Sequence, residues 1–165
     1  MSSEVLIVVL TVLIVAALMV GLTLLFVRNL KADQSRFTAT SATAAQYGLR
    51  PGPLSVPWLP YLPDHGSGFL RQSYAGQSGG RPVQLAEYRY KTASGSGTFA
   101  RHNVAVAAVQ LRAPHPPRSG QGRACRWQVA GAYVLAWHDG DLAIPAILPT
   151  LDELLAVAAW LEPAG

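Results

Sequence analysis

The hydrophobic pattern of the chain is dominated by one uninterrupted apolar run, residues 5–27. These 23 residues contain no charge and no proline, and their only polar side chains are Thr11 and Thr23. At about 1.5 Å per residue, a helix of this length reaches about 34 Å, enough to cross a hydrocarbon core of about 30 Å. A lone helix also satisfies its own backbone hydrogen bonds in a bilayer. The pattern therefore predicts a transmembrane helix that contacts the lipid bilayer.

The flanks of this run predict its orientation. The first four residues contain no Lys or Arg, so they lack the basic region of a cleaved signal peptide. Arg28, Lys31 and Arg36 follow the run, and basic flanks stay on the cytoplasmic side of a membrane. We therefore expect a single-pass anchor in the cell membrane, with residues 1–4 outside and the C-terminal domain in the cytoplasm.

Two small residues inside the run, Ala17 and Gly21, lie one helical turn apart. Such a pair lets two membrane helices approach closely, so it indicates a face for homodimerisation. The alternative is the ordinary abundance of Ala and Gly in membrane helices.

Beyond the run, the pattern predicts a helix and then an extended segment. Residues 28–48 are mostly polar up to position 37, then rich in small residues, and end at Gly48, which favours a helical stalk, with a candidate break near Thr40. Prolines at positions 51, 53, 57, 60 and 63 exclude a regular helix in residues 49–68. Apolar residues lie between them, so we expect a proline-rich coil packed along the domain. A proline-rich ligand for an aromatic groove is the alternative.

After residue 68 the hydrophobic period changes to two, which is typical of strands. Val83 and Leu85 alternate with Tyr88 and Tyr90, which places the two pairs on opposite faces. Residues 104–109 are apolar on both faces, as expected for a covered central strand. Further strands are expected at 69–74, 125–130 and 133–138, with a loop at 119–122 and a hairpin turn at 131–132.

The last segment returns to helical spacing. Thr150 and Glu153 match a capping box at a helix start, and apolar residues recur after them at Leu151, Leu154, Leu155 and Ala158. We therefore expect residues 69–165 to form an α+β domain. Its antiparallel sheet of about five strands would be covered by this C-terminal helix.

The charge distribution and the cysteine content limit the kinds of partner and compartment that we expect for this chain. The chain has 13 basic and 9 acidic residues, and the arginines after residue 48 are spread singly. A nucleic-acid-binding protein would cluster them, so no nucleic-acid partner is expected. The one cysteine, Cys125, lies in an expected strand, which favours a buried, inert thiol and agrees with a reducing compartment.

Motifs for chemistry are few. Histidines at 65, 102, 115 and 138 lack zinc-type spacing, and no phosphate-binding loop or nucleophile elbow is present. We expect no catalytic residue, no cofactor and no metal site, and Glu87 is expected to form a surface ion pair with Arg89 or Arg101. One alternative stays open. The turn from His138 to Asp141 could serve a metal- or ligand-binding domain or an enzyme, although Asp-Gly is also ordinary turn chemistry.

Four aromatic residues form a candidate interaction surface: Trp58, Tyr88, Tyr90 and Trp137. The alternative is that they form a sheet face packed under the C-terminal helix. Few chemical motifs and a membrane tether together predict a non-enzymatic protein-binding or scaffold module. Its partner would be an unidentified membrane or cytoplasmic protein.

The order of these features resembles one family. After the membrane helix come Tyr-Gly-Leu at 47–49, GRPV at 80–83, EYRY at 87–90, AVAAVQLRAP at 105–114 and the leucine-containing helix. This order is similar to that of single-pass membrane proteins of uncharacterised function that are common in actinobacteria. The resemblance covers most of the chain. It implies the same architecture and brings no activity and no catalytic residues.

Overall fold

A computed structural model describes residues 3–62, 68–93 and 99–163, with side chains from residue 9 onward. His65 and the Gly-Ser-Gly segment at 95–97 lie outside the described residues. The chain divides into two compact units, Met1–Ala39 and Thr40–Gly165.

Helix α1 (Ser3–Gln46) runs without a break, so the predicted break near Thr40 is absent. Its large apolar side chains between Val9 and Val27 are 41–65% exposed, and the mean hydropathy of its most apolar window is 2.8. By length and composition, this helix can cross a membrane. Thr23 donates its hydroxyl to the carbonyl of Met19 at 2.8 Å, which satisfies the hydroxyl within the helix.

The end of α1 follows from Gly48. This residue has φ of 70°, a conformation that favours glycine, and Leu49 N–H bonds the carbonyl of Ala44 at 3.0 Å. That bond and the positive φ form the usual glycine termination of a helix. The predicted stop at Gly48 is therefore correct.

Seven antiparallel strands form one sheet in the order β1-β2-β3-β4-β7-β6-β5. The strands are β1 (Arg50–Pro51), β2 (Phe69–Ser78), β3 (Arg81–Ala93), β4 (Phe99–Gln110), β5 (Arg118–Gln121), β6 (Arg126–Ala130) and β7 (Tyr133–Asp139). Helix α2 (Ile144–Leu161) follows β7. The α+β class is confirmed, and the sheet has seven strands where about five were expected. The additions are the short edge strands β1 and β5, which were predicted as coil and loop.

The two faces of the sheet have separate cores. On one face, Val83 and Leu85 pack with Leu151 and Leu154 of α2. On the other face, Tyr88 packs among residues of the proline-rich segment, including Val56, Trp58 and Leu62, which are 0–6% exposed. That segment contains a short 3₁₀ turn, Leu59–Tyr61. Helix α2 therefore covers one face of the sheet, and the proline-rich segment covers the other.

The start of α2 differs from the prediction. The helix begins at Ile144 after Ala143, and Pro145 occupies its first turn, where a missing N–H costs nothing. Thr150 lies inside the helix at 2% exposure, so it caps nothing. The capping-box interpretation was wrong because Thr150 and Glu153 both bind groups on other elements. Helix α2 is also long and apolar enough to cross a membrane, but a third of it is buried against the sheet, as in a core helix.

Candidate functional site

The predicted aromatic surface divides into a buried pair and an accessible pair. Trp58 and Tyr88 are 0% exposed, and Trp58 Nε1 donates to Gln84 Oε1 at 2.5 Å. Both lie on the face covered by the proline-rich segment, and α2 packs on the other face. Trp58 and Tyr88 are therefore core residues, and only Tyr90 and Trp137 of this set present surface to solvent.

Tyr90 and Trp137 do not form one platform. Tyr90 stacks on His102 with ring centroids 4.9 Å apart, three pairs before the end of the β3–β4 ladder. Trp137 on β7 pairs with Val106 on β4, which is four residues from His102. Four residues of strand span about 13 Å. The two aromatic residues thus belong to different parts of the same face.

Trp137 borders an open groove of about 690 Å³ at the β5 side of the sheet. Its lining is polar apart from two tryptophans and consists of Ser119, Gly120, Gln121, Arg126, Trp127, Gln128 and Trp137. Arg126 Nε donates to Gln121 Oε1 at 2.9 Å, and Gln128 Nε2 donates to the carbonyl of Tyr61 at 3.1 Å. The groove thus combines Trp137 with one cation and several uncharged polar groups, and Trp127, which also borders it, packs against the core on the α2 side of the sheet.

Strand β5 forms the outer border of this groove and is the last strand of the sheet. Gly122 N–H bonds the carbonyl of Cys125 at 2.8 Å, which makes that pair the first hydrogen-bonded rung of the β5–β6 hairpin. Hydrogen-bonded and non-hydrogen-bonded pairs alternate along an antiparallel ladder. The next pair, Gln121 with Arg126, is therefore not hydrogen-bonded, and the same holds two residues further on for Ser119 with Gln128. Gln121 and Ser119 therefore point their backbone N–H and C=O groups away from β6. These groups form an open sheet edge.

The β5–β6 turn is held by Glu153 of α2. Its carboxylate accepts the backbone N–H of Arg123 at 2.8 Å and that of Ala124 at 2.6 Å. A side chain at Gly122 would collide with the Glu153 carboxylate and displace it from the N–H groups that it accepts. Glu153, read from the sequence as a cap of its own helix, instead anchors the hairpin that carries the edge.

Cys125 lies in the same turn and is buried. Burial, the charge of Glu153 and a hydrogen bond to that carboxylate together raise the pKa of Cys125 to about 11. The thiol is therefore protonated at neutral pH. This agrees with the prediction of an inert cysteine.

The turn from His138 to Asp141 uses its polar groups internally. His138 Nε2 lies 2.6 Å from Thr150 Oγ1, and Asp141 Oδ1 accepts from Asn103 Nδ2 at 2.5 Å. A cavity of about 270 Å³ borders His138, Asp139 and Asp141. No group of three or more metal-binding side chains occurs in the part of the chain that the structure describes.

Glu87 is buried, contrary to the predicted surface pair with Arg89 or Arg101. Its carboxylate accepts from Arg71 Nη1 and from Gln72 Nε2, each at 2.9 Å. The β2–β3 register shifts between Leu70 and Gln72, which marks a bulge at Arg71. The extra residue brings two successive side chains to one carboxylate. Periodicity gave no sign of this bulge.

Ala17 and Gly21 lie together on α1. They border a shallow apolar groove of about 420 Å³ with Ile14, Leu18, Leu22 and Leu25. A Cβ atom on Gly21 would meet no atom within 4 Å, so the helix surface is open there. Homodimerisation through this face stays a prediction.

The β5 edge and the polar side of its groove were missed by sequence reasoning. Arg-Ser-Gly-Gln is too short and too polar to show a hydrophobic period of two.

Comparisons with protein-family models, with curated proteins and with solved structures found no significant match to this chain. The resemblance to single-pass actinobacterial proteins therefore stays a prediction.

Proposed function

We propose that this chain is a membrane-anchored, non-enzymatic module that binds another protein at the cytoplasmic face of the cell membrane. The observation that carries the proposal is the exposed, uncharged surface of α1 from Val9 to Val27, which water would not solvate favourably. Bilayer insertion would cover this surface. The basic residues Arg28, Lys31 and Arg36 that follow support a cytoplasmic location for the rest of the chain.

A membrane anchor favours a protein-binding role that needs no catalytic activity. Confinement to a membrane raises the local concentration of the domain near membrane-bound partners, so a modest affinity becomes effective. The open edge at β5 and the groove beside Trp137 supply a surface for such binding. In this proposal the domain acts by recruitment or scaffolding.

Orientation is tested with reporters fused to either end of the full chain. We expect a periplasm-active phosphatase to work only at the N-terminus and a cytoplasm-active fluorescent protein to work only at the C-terminus. The matched control changes Arg28, Lys31 and Arg36 to Gln, which should weaken the orientation preference because it removes the basic flank. Reporter activity in the opposite arrangement would overturn the cytoplasmic placement.

Binding is tested by crosslinking in native membranes with three versions of the protein. These are the full chain, a version without residues 1–27, and a chimaera in which an unrelated single-pass helix replaces residues 5–27. We expect one dominant partner with the full chain and with the chimaera, and a weaker signal without the anchor. If none of the three versions captures a partner, the protein-binding function is contradicted.

A second candidate function is cation or small-ligand binding at the turn from His138 to Asp141. The cavity of about 270 Å³ beside these side chains favours it. Asp139→Asn combined with Asp141→Asn separates the two functions. If the second candidate is correct, Mg²⁺ or Ca²⁺ raises the melting temperature of the wild-type chain, and the double variant loses that rise. Equal melting temperatures with and without the cations would exclude cation binding at this turn.

A further inference from the structure

We infer that the β5 edge takes an extended, acidic segment of a partner protein as an added antiparallel strand. This inference rests on the proposed protein-binding function and names the place and the chemistry of recognition. The added strand would pair with Ser119 and Gln121 and would direct alternate side chains into the groove beside Trp137.

The backbone supplies the first reason. Ser119 and Gln121 each direct one N–H and one C=O outward, as the hairpin alternation requires. An incoming strand can satisfy all four groups, which is the usual mode of strand addition at a sheet edge. Residues 118–121 pair with β6 without a register shift, so this edge is regular.

The opposite edge of the sheet is less suited to strand addition. Strand β1 has only two residues, and the exposed part of β2 carries the bulge at Arg71. Short strands and bulges are common devices that prevent edge pairing. Of the two edges that the structure describes, β5 is therefore the better template.

Charge supplies the second reason. Arg118, Arg123 and Arg126 are exposed on β5, on the β5–β6 turn and at the start of β6. No carboxylate occurs among the residues that line the groove. Glu153 reaches the turn from α2, on the other face of the sheet, and its oxygens already accept backbone N–H groups. The edge is thus positive, and an acidic segment complements it.

Side-chain alternation supplies the third reason. Ser119 and Gln121 are two residues apart, so their side chains share the face that carries Trp137. A carboxylate on the added strand, on this same face, would reach the guanidinium of Arg126. Trp137, two strands inward from β5, borders the same groove.

The same edge on a second copy of this chain is a poorer partner. Antiparallel pairing of two β5 strands would bring three exposed arginines from each copy to one interface. Like charges across a pair of strands destabilise it. Self-pairing is therefore an outcome that the experiment must distinguish.

The test uses the full chain in detergent micelles and a labelled, capped seven-residue peptide that alternates valine and glutamate. We expect this peptide to bind, with Ser119→Pro and Arg126→Gln each raising its Kd at least tenfold. Ser119→Pro removes an outward N–H that β6 does not use, and proline is tolerated on such an edge. Arg101→Gln on β4 is the matched control and should change Kd less than twofold.

Two altered peptides test the same contacts from the ligand side, and they remain informative if Ser119→Pro fails to fold. Lysine in place of glutamate should abolish binding, and so should methylation of alternate backbone nitrogens. Equal binding of the acidic and basic peptides, or of the methylated and unmethylated ones, would overturn the inference.

A photo-crosslinking residue placed at Gln121 or at Gln77 in native membranes separates this inference from the proposed function. Gln77 is an exposed position on β2. An acidic partner segment crosslinked at 121 and lost with Ser119→Pro supports strand addition. A partner crosslinked only at 77 overturns strand addition and leaves the binding function standing. A crosslink at 121 to another copy of the chain overturns the acidic-segment inference, and no crosslink at either position contradicts both.

Discussion

Arg71 Nη1 lies 2.9 Å from Glu87 Oε1, and the Glu87 side chain is only 2% exposed. The pair joins the bulged residue of β2 to the middle of β3. Glu87 Oε2 also accepts from Gln72 Nε2 at 2.9 Å and from the Leu142 N–H at 3.4 Å. The buried carboxylate thus holds together β2, β3 and the segment that leads into α2.

We predict that Arg71→Met lowers the free energy of unfolding by about 3 kcal/mol, since it leaves a buried carboxylate without its cation. Glu87→Leu combined with Arg71→Met should restore much of that loss, because neither charge then remains. Urea unfolding of the full chain in detergent measures both effects. A double variant as unstable as Arg71→Met alone would show that packing, and not the pair, determines the effect.

The lowered pKa of Glu162 makes the stability of the fold depend on pH in the acid range. Burial by itself raises the pKa of Glu162. Stronger effects in the opposite direction lower this pKa from 4.5 to about 2: hydrogen bonds from Arg81 and from the backbone N–H groups of Arg112 and Ala113, and the charge of Arg81. His115 Nε2 also lies 3.5 Å from the carboxylate. A lowered folded-state pKa stabilises the fold above pH 4.5, and that stability is lost as the pH falls from about 4.5 to about 2.

Glu162→Gln should therefore flatten the stability profile in this acid range and cost about 2 kcal/mol at pH 7, because hydrogen bonds to a charged group are removed. Denaturant unfolding at a series of pH values measures the profile. Asp152→Asn, an exposed change on α2, is the matched control. An unchanged acid slope in Glu162→Gln would assign that slope to other carboxylates.

Gly122→Ala should destabilise the β5–β6 hairpin. The added methyl group would collide with the Glu153 carboxylate that anchors this turn. We expect a loss of about 2 kcal/mol, typical of overpacking. The loss should be smaller in a Glu153→Ala background, where the collision is absent, so thermal unfolding of the two single variants and the double variant tests the contact. Additive losses would show that Gly122 and Glu153 act independently.

Gly21→Leu should weaken self-association of α1 if the small-residue face forms a homodimer. A leucine there would keep two helices apart, since close approach needs small residues. Energy transfer between labelled chains in bilayers measures the association. Ala16→Leu, which lies outside the Ala17–Gly21 groove, is the control and should leave the signal unchanged. Equal signals for wild type and Gly21→Leu would exclude this face.

Local patterns predicted the elements that depend on local chemistry. Tyr88 and Val83 were assigned to opposite faces because strand side chains alternate, and the two cores confirm this assignment. The turn at 131–132 and the stop at Gly48 were also predicted, since each depends on glycine in a positive-φ conformation. The predicted start of α2 is wrong because the helix begins with Pro145 in its first turn, five residues before the capping-box motif.

The candidate site was beyond sequence patterns because its parts come from distant segments. Glu153 reaches Arg123 and Ala124 across 29 to 30 residues, and Gln128 meets Tyr61 across 67. Which strand stands at the edge depends on the sheet order, and periodicity specifies only the faces of a strand. The surface prediction for Trp58 is wrong for the same reason, since the segment that contains Trp58 packs this side chain against the sheet.

The sequence by itself determined the apolar helix, the two-faced strands and the overall α+β class. The length of an uncharged apolar run and the period of the hydrophobic pattern are local properties of the chain. The tertiary structure alone decided that β5 is an edge, that Glu87 is buried with Arg71, and that Glu153 anchors a hairpin. Those features depend on which distant segments meet, and that outcome is set by the packing of the whole domain.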